Sequence, residues 1–125
     1  MPRTILVVDD TRVSREPLAK LLRREGYKAV CASDGLEALS TMKANPPDLV
    51  LLDLMMPNMD GLSFLRAMRK DAWWKSLPVI VFTAASSPNY VAEAKALGVL
   101  DVIFKPSVDG LVSSIREHLP AGEPV

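Results

Sequence analysis

The sequence contains only one cysteine, which excludes a disulfide within the chain and a zinc site built from cysteines. It also has no excess of charge of one sign, because 15 Lys and Arg balance 15 Asp and Glu, so no broad basic field is available to attract nucleic acid. No apolar run approaches the roughly 18 to 20 residues that span a bilayer. We therefore expect a cytoplasmic protein with no direct contact to nucleic acid or to a membrane.

What the sequence does contain is typical of one globular domain. Its 125 residues are 49% hydrophobic and 24% charged, which is enough to form a core within a single domain. We predict that this domain covers residues 1–119. The Pro- and Gly-containing end, residues 120–125, is expected to be a short flexible tail.

Five short apolar runs alternate with segments of helical periodicity. The runs lie at residues 5–8, 29–32, 49–52, 79–82 and 102–104, and most of them are apolar throughout, as in parallel strands covered on both faces. The pattern predicts an α/β fold in which five strands and five helices alternate around an open parallel sheet. Pro17 lies well inside the first helical pattern, so we expect that helix to start as late as residue 13 or 14, or to kink.

Polar residues follow four of the predicted strands: Asp9 and Asp10, Asp53, Thr83 and Lys105. The carboxyl ends of parallel strands share one edge of the sheet, so these side chains should converge. Three carboxylates within about 4 Å of one another repel by roughly 4 kcal/mol per pair at an effective dielectric near 20, so the cluster needs a cation. Ligation by oxygen alone favours a hard metal, and Mg²⁺ more than Ca²⁺.

An aspartate beside such a metal can attack a phosphoryl group, and Asp53 has the central position for this role. Lys105 would pair with the phosphate, and Thr83 would donate a hydrogen bond to it. Taken singly, each residue has a simpler explanation: Asp9, Asp10 and Thr83 can cap helices or form turns, and Lys105 can be a solvated loop residue.

Four segments together resemble the receiver domains of two-component response regulators. They are Val-Val-Asp-Asp at 7–10, Leu-Asp-Leu-Met-Met-Pro-Asn-Met-Asp-Gly at 52–61, Phe-Thr-Ala at 82–84 and Phe-Lys-Pro at 104–106. The resemblance extends from about residue 5 to residue 119. It implies a flavodoxin-like (βα)5 sheet with strand order 2-1-3-4-5 and a stand-alone domain similar to chemotaxis regulators.

The resemblance also implies roles for individual residues. Asp53 would accept a phosphoryl group from a histidine of a sensor histidine kinase or a histidine phosphotransfer protein. Asp10, Asp53 and the backbone carbonyl of Met55 would bind Mg²⁺, with Asp9 acting through water. Thr83 and Lys105 would bind the phosphoryl oxygens. Pro57 and Gly61 would shape the loop beneath the acceptor, and the Lys105–Pro106 peptide bond would be cis. Such a domain is not an enzyme in the usual sense, since it catalyses only its own phosphoryl transfer and slow dephosphorylation.

Two features depart from the family pattern. Val102 occupies the position of the aromatic residue that usually rotates on activation, and we hypothesise that Phe104 or Tyr90 takes over part of the readout. Met55 and Ala85, which flank the phosphoryl group in this family, are both nonpolar here. Because neither can orient a hydrolytic water, we expect a long phosphoryl lifetime.

Other functions fit the sequence less well. A flavin mononucleotide carrier would need phosphate-binding donors where Asp9 and Asp10 stand, and an aspartyl phosphatase usually separates its two aspartates by one residue. The remaining alternative is a receiver-like interaction module that is not phosphorylated. The last helical pattern ends within six residues of the end of the sequence, so we expect the output to be phosphorylation-dependent binding to a downstream protein rather than an attached DNA-binding domain.

Overall fold

The computed structural model describes residues 3–56, 60–84 and 87–120, in which strands and helices alternate along the chain. None of the helices in this part of the chain has the length and apolar character needed to cross a membrane. The elements are β1 (Thr4–Val8), α1 (Arg12–Arg24), β2 (Lys28–Ala32), α2 (Gly35–Ala44), β3 (Leu49–Leu52), α3 (Gly61–Lys70), β4 (Val79–Thr83), α4 (Pro88–Ala96), β5 (Asp101–Phe104) and α5 (Val108–His118).

The five strands form one parallel sheet in the order β2-β1-β3-β4-β5. This confirms the fold and the strand order expected from the sequence. β3 lies at the centre and is buried along its whole length, whereas β5 lies at an edge and is only partly buried. Apolar side chains from α2, α3 and α4 cover one face of the sheet, and those from α1 and α5 cover the other.

The strand register places the carboxyl ends of the strands side by side. Val8 pairs with Leu52, and Leu52 pairs with Val81. The backbone N–H of Asp53 donates to the carbonyl of Val8 over 3.0 Å, and that of Lys105 donates to the carbonyl of Thr83 over 2.9 Å. The residues that follow β1, β3 and β5 therefore emerge beside one another at one edge of the sheet.

The start of α1 differs from the sequence prediction. The helix begins at Arg12, so a start at residue 13 or 14 is wrong, and Pro17 lies inside the helix. The alternative expectation, a kink at Pro17, stays a prediction. The reason is local: the carbonyl of Thr11 accepts hydrogen bonds from the N–H groups of Ser14 at 3.2 Å and Arg15 at 2.9 Å. These bonds form the first turn upstream of the proline.

Two glycines follow the ends of helices. Gly26, after α1, has φ 95°, and Gly98, after α4, has φ 81°. This left-handed conformation is readily adopted by glycine and disfavoured by residues with a Cβ atom.

The carboxyl end of α5 is attached to the sheet through Leu119. Leu119 is buried, and its carbonyl accepts a hydrogen bond from the Tyr27 hydroxyl group. Residues 121–125 lie outside the described residues, so the flexible tail and the domain boundary at residue 119 stay predictions.

Candidate functional site

The side chains predicted to converge at the carboxyl edge of the sheet do so. Lys105, after β5, reaches both Asp9, after β1, and Asp53, after β3: its Nζ lies 2.8 Å from Asp9 Oδ2 and 3.2 Å from Asp53 Oδ2. The hydroxyl group of Thr83, the last residue of β4, donates a hydrogen bond to Asp53 Oδ1 over 2.7 Å. The side chains thus come from four strands and meet because those strands are parallel and in register.

Asp53 is held in place by hydrogen bonds to both carboxylate oxygens. Its Oδ1 accepts from the Thr83 hydroxyl and, over 3.1 Å, from the backbone N–H of Met55, while its Oδ2 faces the ammonium group of Lys105. The residue is only 7% exposed. These contacts fix the orientation of the carboxylate, a group that is able to act as a nucleophile.

Asp9 carries a larger set of hydrogen bonds. Its Oδ1 accepts from the backbone N–H of Thr11 at 3.0 Å and from the Thr11 hydroxyl at 3.3 Å. Its Oδ2 accepts from the Ser14 hydroxyl and from Lys105, each at 2.8 Å. Burial alone would raise the pKa of Asp9, but the hydrogen bonds from Lys105, Thr11 and Ser14 together outweigh it and hold the pKa below its ordinary value.

Lys105 has three oxygen acceptors around its ammonium group: Asp9, Asp53 and the Ser14 hydroxyl at 3.0 Å. The group also lies 5.9 Å from the centre of the Phe82 ring, within the range of a cation–π contact. Burial would lower the pKa of Lys105, but the hydrogen bonds and negative charges of Asp9 and Asp53 outweigh it and raise the pKa. Its peptide bond to Pro106 is cis, as expected.

Three carboxylates of the site are close enough to share one metal ion. Asp9, Asp10 and Asp53 each offer an oxygen atom, and these atoms all lie within 4.8 Å of one another. The cluster contains three negative groups against the single ammonium of Lys105, so a further cation would relieve their repulsion. The donors are all oxygen, which fits a hard divalent cation such as Mg²⁺.

Three residues of the site were not identified from the sequence: Thr11, which donates to Asp9, and two residues of α1. Ser14, in the first turn of α1, contacts both Asp9 and Lys105, and the Arg15 guanidinium donates to the backbone carbonyl of Asp9 over 2.8 Å. Ser14 lies five residues after Asp9, and a contact between them can be inferred from the sequence only if the start of α1 is known. The Asp9-x-Thr11 spacing, which allows a turn closed by the carboxylate, was the available signal.

The remaining predicted residues lie around this site. Met55 is 52% exposed and lines a cavity of about 180 Å³ together with Tyr90. Val102 packs against the core under α3 and α4, and Phe104, two residues further along β5, is 46% exposed. Pro57 and Ala85 fall outside the described residues.

The side chains described above form an acidic site at the carboxyl edge of a parallel sheet, and comparison with known proteins identifies the family. The chain matches the model of the response regulator receiver domain over residues 5–116 and belongs to that family.

Among its relatives, response regulator MprA of Mycobacterium sp. (strain KMS) is 39% identical over 125 residues, which are 99% of this chain and 54% of MprA. The chain thus spans about half the length of that relative. Sporulation initiation phosphotransferase F of Bacillus subtilis (strain 168) is 36% identical over 121 residues, or 96% of each chain. The structure of chemotaxis protein CheY4 of Vibrio cholerae has a TM-score of 0.88 and 30% identity, covering 95% of this chain and 100% of CheY4.

These similarities confirm the resemblance deduced from the sequence motifs. The chain is a receiver domain of the two-component response regulator family, with the parallel sheet of chemotaxis-type regulators. Membership of this family favours phosphorylation-dependent signalling over an interaction module that is never phosphorylated.

Proposed function

We propose that this receiver domain accepts a phosphoryl group on Asp53 and that the modification changes which proteins it binds. The observation that carries the proposal is the contact of one buried carboxylate with the Thr83 hydroxyl at 2.7 Å and the Lys105 ammonium at 3.2 Å, next to two further aspartates. A hydroxyl donor and a cation are the groups that bind the oxygens of a transferring phosphoryl group.

The donor we propose is a phosphohistidine of a sensor kinase or a histidine phosphotransfer protein. A carboxylate oxygen of Asp53 forms a bond to phosphorus, and the phosphorus–nitrogen bond of the donor breaks. The imidazole leaves as the neutral ring, with a proton taken from water. Lys105 balances the negative charge on the phosphoryl oxygens, and Thr83 donates its hydroxyl hydrogen to one of them.

Asp10 and Asp53 would bind Mg²⁺ together with the backbone carbonyl of Met55. Asp9 already accepts four hydrogen bonds from Thr11, Ser14 and Lys105, which is about the full capacity of a carboxylate. It would therefore contribute through water. When bound, Mg²⁺ supplies positive charge that screens the phosphoryl oxygens from the neighbouring carboxylates.

The test is covalent modification measured by intact mass. The protein is incubated with Mg²⁺ and acetyl phosphate, and the wild type should gain the mass of one phosphoryl group, whereas Asp53→Asn should gain none. Asp109→Asn is the matched control because it removes an exposed aspartate in the first turn of α5, and it should be modified like the wild type.

Omission of Mg²⁺ and addition of a chelator should slow the modification of the wild type and of Asp109→Asn. A wild-type protein that stays unmodified under all of these conditions, although folded, would support the interaction module instead. Modification of Asp53→Asn to the same extent as the wild type would place the acceptor at another residue.

A further inference from the structure

Ser14 projects its hydroxyl group between two charged residues of the site. The hydroxyl donates to Asp9 Oδ2 over 2.8 Å and accepts a hydrogen bond from Lys105 Nζ over 3.0 Å. Ser14 is half-buried, and its backbone N–H donates to the carbonyl of Thr11. The side chain is thus fixed at the first turn of α1 and directed toward the strand ends.

We propose that Ser14 is a positioning residue for phosphoryl transfer, which it supports by holding the ammonium group of Lys105 between Asp9 and Asp53. The inference rests on the function proposed above. Ser14 itself has no contact with Asp53 among the hydrogen bonds of the described residues, so it acts through Lys105.

The hydrogen-bond count at Lys105 explains why a neutral acceptor matters. An ammonium group has three N–H donors, and Lys105 directs them at three oxygens, of which only the Ser14 oxygen belongs to an uncharged side chain. Of the two carboxylates, Asp9 is the nearer, at 2.8 Å against 3.2 Å for Asp53. The ammonium group is therefore already closer to the residue that is not the acceptor.

The Ser14 hydroxyl limits this bias in two ways. It donates to the same Asp9 oxygen that Lys105 contacts, so the two donors share that oxygen. It also accepts one N–H of Lys105, which keeps the ammonium from facing Asp9 alone. Without the hydroxyl, Asp9 Oδ2 would attract Lys105 more strongly, and the ammonium would move away from Asp53.

Ser14→Val and Ser14→Thr form the decisive pair of variants. Their side chains have nearly the same shape, and only threonine retains a hydroxyl. We expect Ser14→Val and Ser14→Ala to be phosphorylated by acetyl phosphate about fivefold more slowly than the wild type, the size of effect expected for one hydrogen bond. Ser14→Thr should restore most of the rate. Ser113→Ala, which removes an exposed hydroxyl of α5, is the control and should react like the wild type.

A second measurement follows Lys105 directly and does not depend on activity. The NMR signals of the Lys105 Cε–Hε group, assigned by their loss in Lys105→Arg, should shift in Ser14→Val and Ser14→Ala. They should stay near the wild-type position in Ser14→Thr. If Ser14 had a merely structural role, Ser14→Val and Ser14→Thr would change the Lys105 signals alike.

Equal phosphorylation rates in the valine and threonine variants, or Lys105 signals that do not respond to loss of the hydroxyl, would overturn the role of Ser14. If the wild type itself gains no phosphoryl group, the proposed function fails. In that case the Lys105 signals still decide whether Ser14 places the ammonium group.

Discussion

Asp9 is the residue whose charge state links the site to the stability of the fold. Its four hydrogen bonds come from Thr11, Ser14 and Lys105, and all of them stabilise the carboxylate over the neutral acid. Because burial opposes this effect without cancelling it, the pKa of Asp9 lies below its ordinary value in the folded protein.

A lowered pKa predicts a loss of stability in acid. The stabilisation from ionised Asp9 is fully present above the unfolded-state pKa, about 3.9, and is lost as the pH falls through the lower folded-state value. The free energy of unfolding in urea should be measured for wild type and Asp9→Asn, with a metal chelator, from about pH 7 to about pH 3. The wild type should be more stable than Asp9→Asn near pH 7, and this difference in the free energy of unfolding should decrease toward low pH. A difference that is constant over this range would contradict the prediction.

Met55 is the residue expected to set the lifetime of the phosphorylated state. It follows Asp53 by two positions, its backbone N–H donates to Asp53 Oδ1, and its nonpolar side chain is half-exposed. An amide in its place could orient a water molecule toward the phosphoryl group, which a thioether does poorly. We therefore expect the phosphorylated form of Met55→Asn to hydrolyse severalfold faster than that of the wild type.

The measurement is the decay of the phosphorylated mass after removal of the phosphodonor. Met55→Leu is the matched control, since it keeps a nonpolar side chain of similar size and should decay like the wild type. Equal decay rates for the asparagine and leucine variants would show that Met55 does not control hydrolysis.

At the scale of secondary-structure elements, the acceptor depends on how closely α3 packs against the end of β3. The first residue of α3, Gly61, donates its N–H to the carbonyl of Leu54 over 3.0 Å. A Cβ atom at Gly61 would lie 2.4 Å from the carbonyl oxygen of Asp53 and 2.5 Å from Leu54 Cα. These are backbone atoms, so the contact could be relieved only by moving the strand end that bears the acceptor.

Gly61→Ala should therefore reduce both stability and phosphorylation. Overpacking of this kind costs about 1 to 3 kcal/mol, to be measured by urea unfolding, and displacement of Asp53 should slow modification by acetyl phosphate. Gly110→Ala is the control: it lies inside α5, and its Cβ would meet the movable Ser107 hydroxyl at 2.8 Å. Since alanine favours helices, the free energy of unfolding of Gly110→Ala should be close to that of the wild type or higher. Equal free energies of unfolding for Gly61→Ala and Gly110→Ala would show that the close approach at Gly61 does not limit the stability of the fold.

At the scale of the whole molecule, the sheet and the convergence of Asp9, Asp53, Thr83 and Lys105 followed from sequence periodicity. Apolar runs separated by helical segments leave few ways to build a parallel sheet, and the residue after each strand then has a defined place. The contacts that helix side chains make with the strand ends and loops could not be placed from this periodicity.

Ser14 and Arg69 illustrate this limit. Ser14 reaches Lys105 only because α1 begins at Arg12. Arg69, in α3, donates to the carbonyls of Leu97 at 2.7 Å and Leu77 at 2.8 Å, and it thereby joins the loops before β4 and after α4. Long flexible side chains with distant backbone acceptors have no fixed spacing in sequence, so the contacts of Arg69 could not be predicted. The contact of Ser14 could not be predicted without knowing where α1 begins.

Phosphorylation of Asp53 would have to reach the surface without the usual aromatic residue, because Val102 takes its place. Val102 packs against the core and has no ring to rotate. Phe104 pairs with Thr83 across β4 and β5, and Thr83 is hydrogen-bonded to Asp53. Because Phe104 is 46% exposed, a shift of Thr83 toward a phosphoryl group would be transmitted through the strand pair to a ring that partners can contact.

We therefore expect the ring signals of Phe104 to change in NMR spectra when the protein is phosphorylated. Phe64, a fully buried residue of α3, is an internal control and should keep its signals. Tyr90, the other candidate residue, lies on α4 and lines the cavity beside Met55, so its ring signals are recorded in the same spectra. A response at Tyr90 alone would place the readout on α4. Unchanged relaxation and chemical shifts at both rings would contradict the transfer of the switch to either residue.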